Sequence, residues 1–228
     1  MKIKNAEKAL KRKIFLSYVP EKRLGEVQRK NVTLETLINW LKEPKTFNQI
    51  KTIEKMKKLK STKGGFLFVS FEGNKRTASN AKMADAIMID LDDVNWSIVE
   101  MFKKYLEDNN IFAIFYSTSS NTAKVGEDNG SWRIIIFLEE PVAANAYKHL
   151  YLDFLEKVGL FKDLNSYDKI NKSLNGVDFS MLSVVQMAFR PTCMKAEDYI
   201  FEIWNQEGNF LSYTDEDIFN GEIIESII

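Results

Sequence analysis

Apolar residues recur along this chain with two spacings, and each spacing predicts one kind of element. The clearest helical pattern carries its apolar residues three, four and seven positions apart, at Leu34, Leu37, Ile38 and Leu41. Thr33 can cap this helix, and Pro44 stops it. Further helices are predicted at 47–60, 95–106 and 142–158, and the capping-box pattern Thr214-x-x-Asp217 predicts a last acidic one.

Short apolar runs bounded by turn residues predict strands. They lie at 14–18, 66–71, 87–91, 112–116, 132–138 and 199–204. Pro20 ends the first of these strands, and Pro141 closes the fifth. Residues 117–131 are a polar loop, 161–176 are irregular and polar, and 177–189 are ambiguous between strand and turn.

The order of these elements indicates the fold class. Strands and helices alternate without strict βαβ spacing, which favours an α+β fold with a mixed or antiparallel central sheet flanked by helices. No internal repeat or long linker interrupts the chain. We therefore expect a single domain over 1–228, with a basic helical part at 1–63, a core at 64–195 and an acidic part at 196–228.

Charge is segregated although the net charge is zero. Residues 1–63 carry 18 Lys and Arg against 6 Asp and Glu, whereas residues 196–228 carry 9 acids and no Lys or Arg. A basic segment of this kind can follow the phosphates of a nucleic acid. On charge alone, a Lys-rich helix that only faces solvent is an equal interpretation.

Composition also excludes several classes of protein. No apolar run approaches the eighteen or so residues of a membrane span, and residues 1–16 lack the apolar core of a signal peptide. Cys193 and His149 are the only residues of their types, so an internal disulfide and a conventional structural zinc site are excluded. We expect a cytoplasmic protein with no membrane partner.

The stretch AIMIDLDD at 86–93 carries the most distinctive chemistry. An apolar strand runs into Asp90, Asp92 and Asp93, and carboxylates at the end of a buried strand need a cation or a donor. Asp90 and Asp92 share one face of the strand, with Cα atoms about 6.6 Å apart. Such a pair can bind Mg²⁺ or Mn²⁺, and solvated turn acids are an equal interpretation of this motif alone.

Three other stretches add polar groups next to apolar strands. The strand at 112–116 runs into the small polar side chains of Ser117, Thr118, Ser119, Ser120 and Asn121, which can bind phosphates or form an ordinary turn. Arg133 begins an apolar strand and needs an anionic partner, which a triphosphate or a carboxylate can supply. Asp178 lies between apolar residues, where it can face a metal ion or cap a turn, and Phe189-Arg190-Pro191 follows.

The order of these motifs resembles the archaeo-eukaryotic primase superfamily, in particular the primase-polymerase domains of phages, plasmids and other mobile elements. The resemblance spans Phe66 to Pro191 and is strongest at 87–92 and 116–142, where the D-x-D run is followed by the Ser/Thr loop and the Trp-Arg strand ending in Leu-Glu-Glu-Pro-Val.

The resemblance implies an RRM-like catalytic core in which the first acids bind catalytic divalent ions, Mg²⁺ or Mn²⁺. Asp90 and Asp92 match these acids, Asp178 matches the third, and Glu139 is a second candidate for the third. The family's histidine position is occupied by Asn121, which can donate to a phosphate but carries no charge. Ser119, Ser120, Arg133 and Arg190 complete the implied nucleotide-binding set.

We therefore expect a DNA-dependent primase or polymerase that transfers a dNTP or NTP to a 3′-hydroxyl on a single-stranded DNA template. Related chains often continue into a helicase, so a separately encoded replicative helicase is an expected partner. The template-binding residues we predict are Lys55, Lys57, Lys58 and Lys60, and Phe68, Phe71 and Tyr116 offer rings for stacking or for the core.

Two other functions remain open from the sequence. The chain can be a catalytically weak replication-initiator or origin-binding module on a primase fold, which Asn121 favours and the two aspartates disfavour. It can also be a small interaction protein whose acidic tail mimics nucleic acid or binds a basic partner. If Asp90 and Asp92 stand together without a cation, their repulsion predicts that removing both leaves stability unchanged or raises it.

Overall fold

The computed structural model of the chain describes residues 9–21, 23–60, 64–121, 123–127, 129–162, 167–169 and 171–213. The predicted helix that opens at Thr214 lies outside these residues. Within the helix Ile53–Lys60, the side chains of Lys57 and Lys60 also lie outside the described part of the chain.

The described residues form an α+β fold, as the order of the elements predicted. The helices are α1 (Leu34–Lys42), α2 (Ile53–Lys60), α3 (Trp96–Asp108) and α4 (Tyr147–Val158). The long strands are β1 (Lys13–Val19), β2 (Gln28–Thr33), β6 (Ala81–Val94), β7 (Ala113–Ser117) and β8 (Gly130–Ala143). The short strands are β3 (Lys45–Thr46), β4 (Gly65–Leu67), β5 (Val69–Phe71), β9 (Tyr167–Asp168), β10 (Ser173–Leu174), β11 (Val177–Asp178), β12 (Ala188–Phe189), β13 (Thr192–Cys193) and β14 (Phe201–Trp204).

A large antiparallel sheet is the centre of the molecule. Its strands follow the order β14-β7-β8-β6-β11-β10-β9, and β5 also pairs with β6. A second antiparallel sheet has the order β12-β4-β1-β2, and β3 pairs in parallel with β13. Within the described ranges, no helix has both the length and the hydrophobicity needed to cross a membrane.

The two faces of the large sheet are covered by different elements. Trp132 and Phe137 are five positions apart on β8, so their side chains point to opposite faces. On one face, Trp96 of α3 packs edge-on against Trp132 with ring centroids 5.6 Å apart. On the other face, Phe137 contacts Phe68, which contacts Phe66 of β4. The small sheet and α1 therefore lie over the second face.

Several elements differ in extent from their predictions. The predicted helix at 47–60 begins only at Ile53, because the Thr52 hydroxyl accepts from the Lys55 amide and caps it. Residues 11–60 contain two helices, as expected, together with three strands, of which only β1 was predicted.

β8 does not end before Pro141 but continues to Ala143, where it pairs with β6. β7 pairs with β8 only as far as Ile136, so Pro141 lies beyond that ladder and its missing N–H is tolerated. The predicted helix at 142–158 starts later for the same reason, at Tyr147.

A buried ion pair joins the residue before β1 to β6 and β8, the two longest strands. Asp85 on β6 is 1% exposed and lies 2.6 Å from Arg12. Its second oxygen accepts from the Phe15 amide at 3.0 Å, and Arg12 also donates to the Leu138 carbonyl. Burial raises the pKa of Asp85, and Arg12 and the Phe15 amide act against that rise. The pair therefore depends on both partners being present.

We expect Asp85→Ala to lower the free energy of unfolding by about 3–5 kcal/mol, because the Arg12 charge then lies in the interior without its partner. Urea unfolding measures this change. Glu72→Ala is the matched control: the Glu72–Lys82 ion pair is on the surface and its loss should leave stability nearly unchanged. Equal stabilities for the two variants would contradict the structural role of Asp85.

Candidate active site

Three carboxylates converge at the end of β6. Asp90 and Asp92 lie on β6, and Asp178 ends β11. One oxygen of each carboxylate lies within 4.8 Å of the other two. Asp178 rather than Glu139 is thus the acid that the fold brings to the Asp90–Asp92 pair, because Glu139 lines a different cavity beside Asp153 and Lys157.

A tight hairpin turn places the third acid. Asn175 and Gly176 connect β10 to β11 with φ angles of 51° and 80°, the left-handed conformation of a two-residue hairpin turn. Val177 pairs with Leu91, which sets Asp178 beside Asp90. The Asn-Gly pair between two apolar residues was the sequence signal for this hairpin, and the expectation of an irregular segment at 161–176 missed it.

A bulge in β6 separates Asp92 from the acid that follows it. The pairing with β8 shifts between Leu91 and Val94, and Asp93 has a φ angle of 54°. The Asp93 amide donates to the Ser131 hydroxyl at 3.1 Å. Asp93 is not part of the three-carboxylate group, which makes it a natural control for substitutions in that group.

Hydrogen bonds hold two of the three carboxylates in fixed orientations. Both oxygens of Asp178 accept from Ser180, one from its amide and one from its hydroxyl, each at 2.7 Å. Asp178 therefore caps the short 3-10 turn Phe179–Leu182 and also belongs to the acid group. Asp90 accepts through Oδ2 from Arg133, its direct neighbour on β8.

The remaining oxygen of Asp90 is the observation that fits a cation. Asp90 Oδ1 is shielded from solvent and has no hydrogen-bond partner among the described residues. A buried carboxylate oxygen without a partner is costly. Three hard oxygen donors from Asp90, Asp92 and Asp178 suit Mg²⁺ or Mn²⁺, so the residues fit a divalent ion.

Arg133 is a fully charged group in the interior. Burial acts to lower the pKa of Arg133, but the negative charge of Asp90, together with the interactions of Arg133 with Tyr116 and its hydrogen bond to Asp90, outweighs burial and keeps that pKa above its ordinary value. Its guanidinium also lies over the Tyr116 ring, 6.0 Å from the centroid. Like-charge repulsion predicted that removing the acids leaves stability unchanged or raises it. Arg133 changes this expectation: without Asp90 it would be buried without its carboxylate, so the stability of the protein should fall.

A small cleft beside the acids is lined by hydrogen-bond donors. Five side chains that line it carry a buried polar atom with no hydrogen-bond partner within the described ranges: Tyr116, Ser119, Arg133, Arg190 and Thr192. Two guanidinium groups and three hydroxyls in one cleft favour an anion with several acceptor oxygens. Thr192 is absent from our sequence prediction, although it stands two positions after Arg190.

Arg190 is positioned by a residue from the N-terminal part. Its guanidinium lies over the ring of Trp40 on α1, 5.4 Å from the centroid. Trp40 in turn packs edge-on against Phe66 of β4, with ring centroids 5.2 Å apart. α1 therefore contributes to the cleft through Trp40, a role that the helical pattern alone did not reveal.

The polar side chains of the loop after β7 form hydrogen bonds within the loop. The Asn121 amide group donates to the Ala123 carbonyl at 2.8 Å and accepts from the Ser131 amide at 3.0 Å. Ser120 shares a hydrogen bond of 3.2 Å with the Thr118 hydroxyl. In this arrangement Asn121 maintains the loop, and Ser119 is the loop residue that lines the donor cleft.

The other residues proposed for nucleic-acid contact divide into two groups. Phe68, Phe71 and Tyr116 are each 1% exposed and belong to the core, so they are not available for stacking on a base. Lys55 and Lys58 are exposed on α2. The side chains of Lys57 and Lys60 lie outside the described part of the chain.

Comparison with known proteins identifies the family. Residues 2–212 match the VapE N-terminal domain, so the chain belongs to this phage and plasmid family of primase-like domains. The resemblance to the primase-polymerase domains of mobile elements is confirmed at this level. No curated protein matches the chain significantly.

One solved structure that is similar is the AEP domain of the cyanophage S-2L primase-polymerase (PrimPol), with 13% sequence identity and a TM-score of 0.34. The similarity covers 92% of this chain and 89% of that domain. A TM-score of this size is too low for the likeness to support further conclusions.

We expect Gly176→Ala to separate Asp178 from the other two acids. An alanine Cβ at position 176 would overlap the Val94 side chain and lie 2.8 Å from the Asp92 carbonyl oxygen, in a backbone conformation that L-residues avoid. Thermal unfolding with and without Mn²⁺ should show lower stability and a smaller metal-induced shift than in the wild type.

Gly73→Ala is the control for backbone strain. Gly73 has a similar φ of +72°, but a Cβ there meets nothing within 4 Å. Its free energy of unfolding should fall only by the cost of the left-handed conformation, about 1–2 kcal/mol, and its full Mn²⁺ response should remain. If both variants respond to Mn²⁺ like the wild type, the hairpin does not position a metal ligand.

Proposed function

We propose that this domain is a metal-dependent nucleotidyltransferase with a role in the replication of a phage or plasmid. It transfers the nucleoside monophosphate of a dNTP or NTP to a 3′-hydroxyl on a single-stranded DNA template, and pyrophosphate leaves. The observation that carries the proposal is the position of three converging carboxylates directly beside a cleft lined by unpartnered donors. Phosphoryl transfer depends on positioning and charge neutralisation, and these two groups of residues are suited to both.

The carboxylates of Asp90, Asp92 and Asp178 hold the divalent ion. When bound, Mg²⁺ or Mn²⁺ supplies charge neutralisation at the transferred phosphoryl group and lowers the pKa of the attacking hydroxyl. Arg133 fixes the orientation of Asp90, and Ser180 fixes that of Asp178. Two of the three ligands are therefore oriented before the ion binds, which reduces the cost of ordering them.

The triphosphate of the incoming nucleotide lies at the mouth of the donor cleft, because the cleft's own volume of about 10 Å³ is too small to enclose it. Arg133 and Arg190 supply positive charge, and Ser119 and Thr192 supply hydroxyl donors. Arg133 belongs to both sites, because it pairs with Asp90 through one nitrogen and its side chain also lines the cleft. The reacting phosphate is thus positioned between the acids and the donors.

The template is bound through the basic N-terminal part. Lys55 and Lys58 on α2 are exposed and can follow the phosphates of a single strand, together with Lys57 and Lys60 from the same helix. A separately encoded replicative helicase is the partner that would provide the single-stranded template.

The alternative is a catalytically weak replication-initiator module. It is favoured by the closed hydrogen bonding of Asn121, which leaves no cationic donor at the family's histidine position. In that case the protein binds single-stranded DNA but incorporates no nucleotide with Mg²⁺ or Mn²⁺. A gel-based assay with labelled nucleotides and a primed single-stranded template distinguishes the two functions.

We expect Asp92→Asn to abolish nucleotide incorporation and the response to Mn²⁺ together. If the wild type is saturated about a hundredfold above its dissociation constant, Mn²⁺ adds about 2.7 kcal/mol of stability. For a chain of this size that raises the melting temperature by roughly 5–10 °C. Asp92→Asn leaves the Asp90–Arg133 ion pair intact, so the loss should not come from a damaged fold.

Asp93→Asn provides the matched control for this measurement. It removes one carboxylate from the adjacent position, outside the three-acid group, and asparagine tolerates a positive φ. It should keep both the Mn²⁺ shift and the activity. A wild type without any shift at millimolar Mn²⁺, or an active Asp92→Asn variant, would show that these acids are not metal ligands.

We expect Arg190→Ala to lower kcat/KM for the nucleotide by about 10- to 150-fold, the effect of losing one charged hydrogen bond. Steady-state kinetics at varied nucleotide concentration measures this change. Binding of template without nucleotide should be unaffected. Arg23→Ala, at an arginine whose side chain is 68% exposed, is the control and should leave kcat/KM unchanged.

A further inference from the structure

A groove between β1, β2 and β5 combines positive charge with an exposed aromatic ring. Its volume is about 270 Å³, and its lining includes Phe15, Ser17, Arg29, Asn31 and Ser70. Phe15 is opposite Asn31 and Ser17 is opposite Arg29 in the β1–β2 pairing. These residues therefore share one face of the small sheet, which we call the β1–β2 groove.

Phe15 is exposed but held firmly in place. The large apolar side chains exposed in the described part of the chain are Phe15, Leu24 and Val125, and Phe15 alone among them is aromatic, at 40% exposure. Its neighbours Ile14 and Leu16 are buried, and its amide donates to Asp85, which is ion-paired with Arg12. Phe15 thus presents its ring to solvent from a fixed backbone.

The charge around this ring has one sign. On the face of the small sheet that carries Phe15, β1 and β2 present Lys13 and Arg29 and no acidic residue, whereas Lys30 lies on the other face, over the Tyr18 ring. Across the groove, Glu72 is engaged with Lys82 at 2.6 Å. Arg29 lies near enough to help lower the pKa of Glu72, after the larger effect of Lys82, but forms no ion pair with any described residue.

We propose that the β1–β2 groove binds single-stranded nucleic acid, with a base stacked on Phe15 and a phosphate bound by Arg29. Aromatic rings beside cations are the combination that binds single strands, since every unpaired base has a face to stack and every linkage carries a charge. A duplex offers no free base face to Phe15. Asn31, exposed opposite Phe15, supplies a polar group that tolerates any base, whereas the hydroxyls of Ser17 and Ser70 bond to the Val69 carbonyl and the Met83 backbone.

The position of the groove is compatible with a strand that also reaches the acids. Asp85, which holds Phe15, precedes Asp90 by five positions on β6, a distance of about 17 Å along the strand. The inference rests on the proposed function in one respect: only that function makes the bound strand a template. The binding itself is a separate property, because it requires neither the metal ion nor the nucleotide.

The test is fluorescence anisotropy with labelled oligothymidylate, without metal and without nucleotide. Phe15→Ala should weaken binding by about 5- to 150-fold, and Phe15→Trp should restore it. Arg29→Ala should reduce the slope of log affinity against log salt by about 0.7, the value for one phosphate contact on a single strand. Single-stranded RNA should compete with the oligothymidylate, and duplex DNA or an acidic peptide should not.

Matched variants separate the groove from general effects of charge and hydrophobicity. Leu24→Ala removes an exposed apolar side chain elsewhere, and Lys104→Glu on α3 reverses a charge on the other face of the large sheet; both should bind like the wild type. Unchanged binding by Phe15→Ala, equal losses for single strands and duplex, or a wild type that does not bind oligothymidylate would each overturn the inference.

Nucleotide incorporation by the wild type reports separately on the proposed function. If the wild type incorporates nucleotide while the groove variants bind oligothymidylate normally, the inference that the β1–β2 groove binds single strands is wrong and the proposed function is supported. If binding depends on Phe15 and Arg29 but no nucleotide is incorporated, binding in the β1–β2 groove is supported and the proposed nucleotidyltransferase function is wrong.

Discussion

The buried ion pair between Asp90 and Arg133 is the interaction on which the site depends. Both residues lie in the large sheet at directly opposed positions of β6 and β8, with side chains only 16% and 6% exposed. Buried charges of this kind are tolerated only when each has its partner. The pair orients one oxygen of Asp90 towards Arg133, while the other has no hydrogen-bond partner among the described residues, so a single contact connects the acid group to the donor cleft.

The second constraint is the contact between the small sheet with α1 and the large sheet. Arg190 follows β12 in the small sheet, and its position over Trp40 depends on α1. The Tyr199 hydroxyl donates to the Leu41 carbonyl at 2.6 Å, which joins the end of α1 to the chain just before β14. The donor cleft is therefore shared by the two sheets, and its width depends on how they pack.

Local patterns were sufficient to predict the parts of this structure that depend on neighbouring residues. The apolar spacing of α1, the cap at Asn95 and the alternation that pairs Asp90 with Asp92 are all local, and each was predicted. Arg12 and Asp85 meet across the fold, and so do Trp40 and Arg190. No spacing rule connects such pairs, because tertiary packing alone brings them together.

The origin of the three acids in distant parts of the sequence has a consequence for folding. Asp90 lies in a strand that pairs with β5 and β8, whereas Asp178 reaches it only when the late hairpin of β10 and β11 has paired with β6. Contacts across such a separation close slowly and form after local ones. During synthesis the three acids would therefore come together only once the hairpin of β10 and β11 has joined the large sheet, and an ion bound at the proposed site would retain that fold rather than guide its early steps.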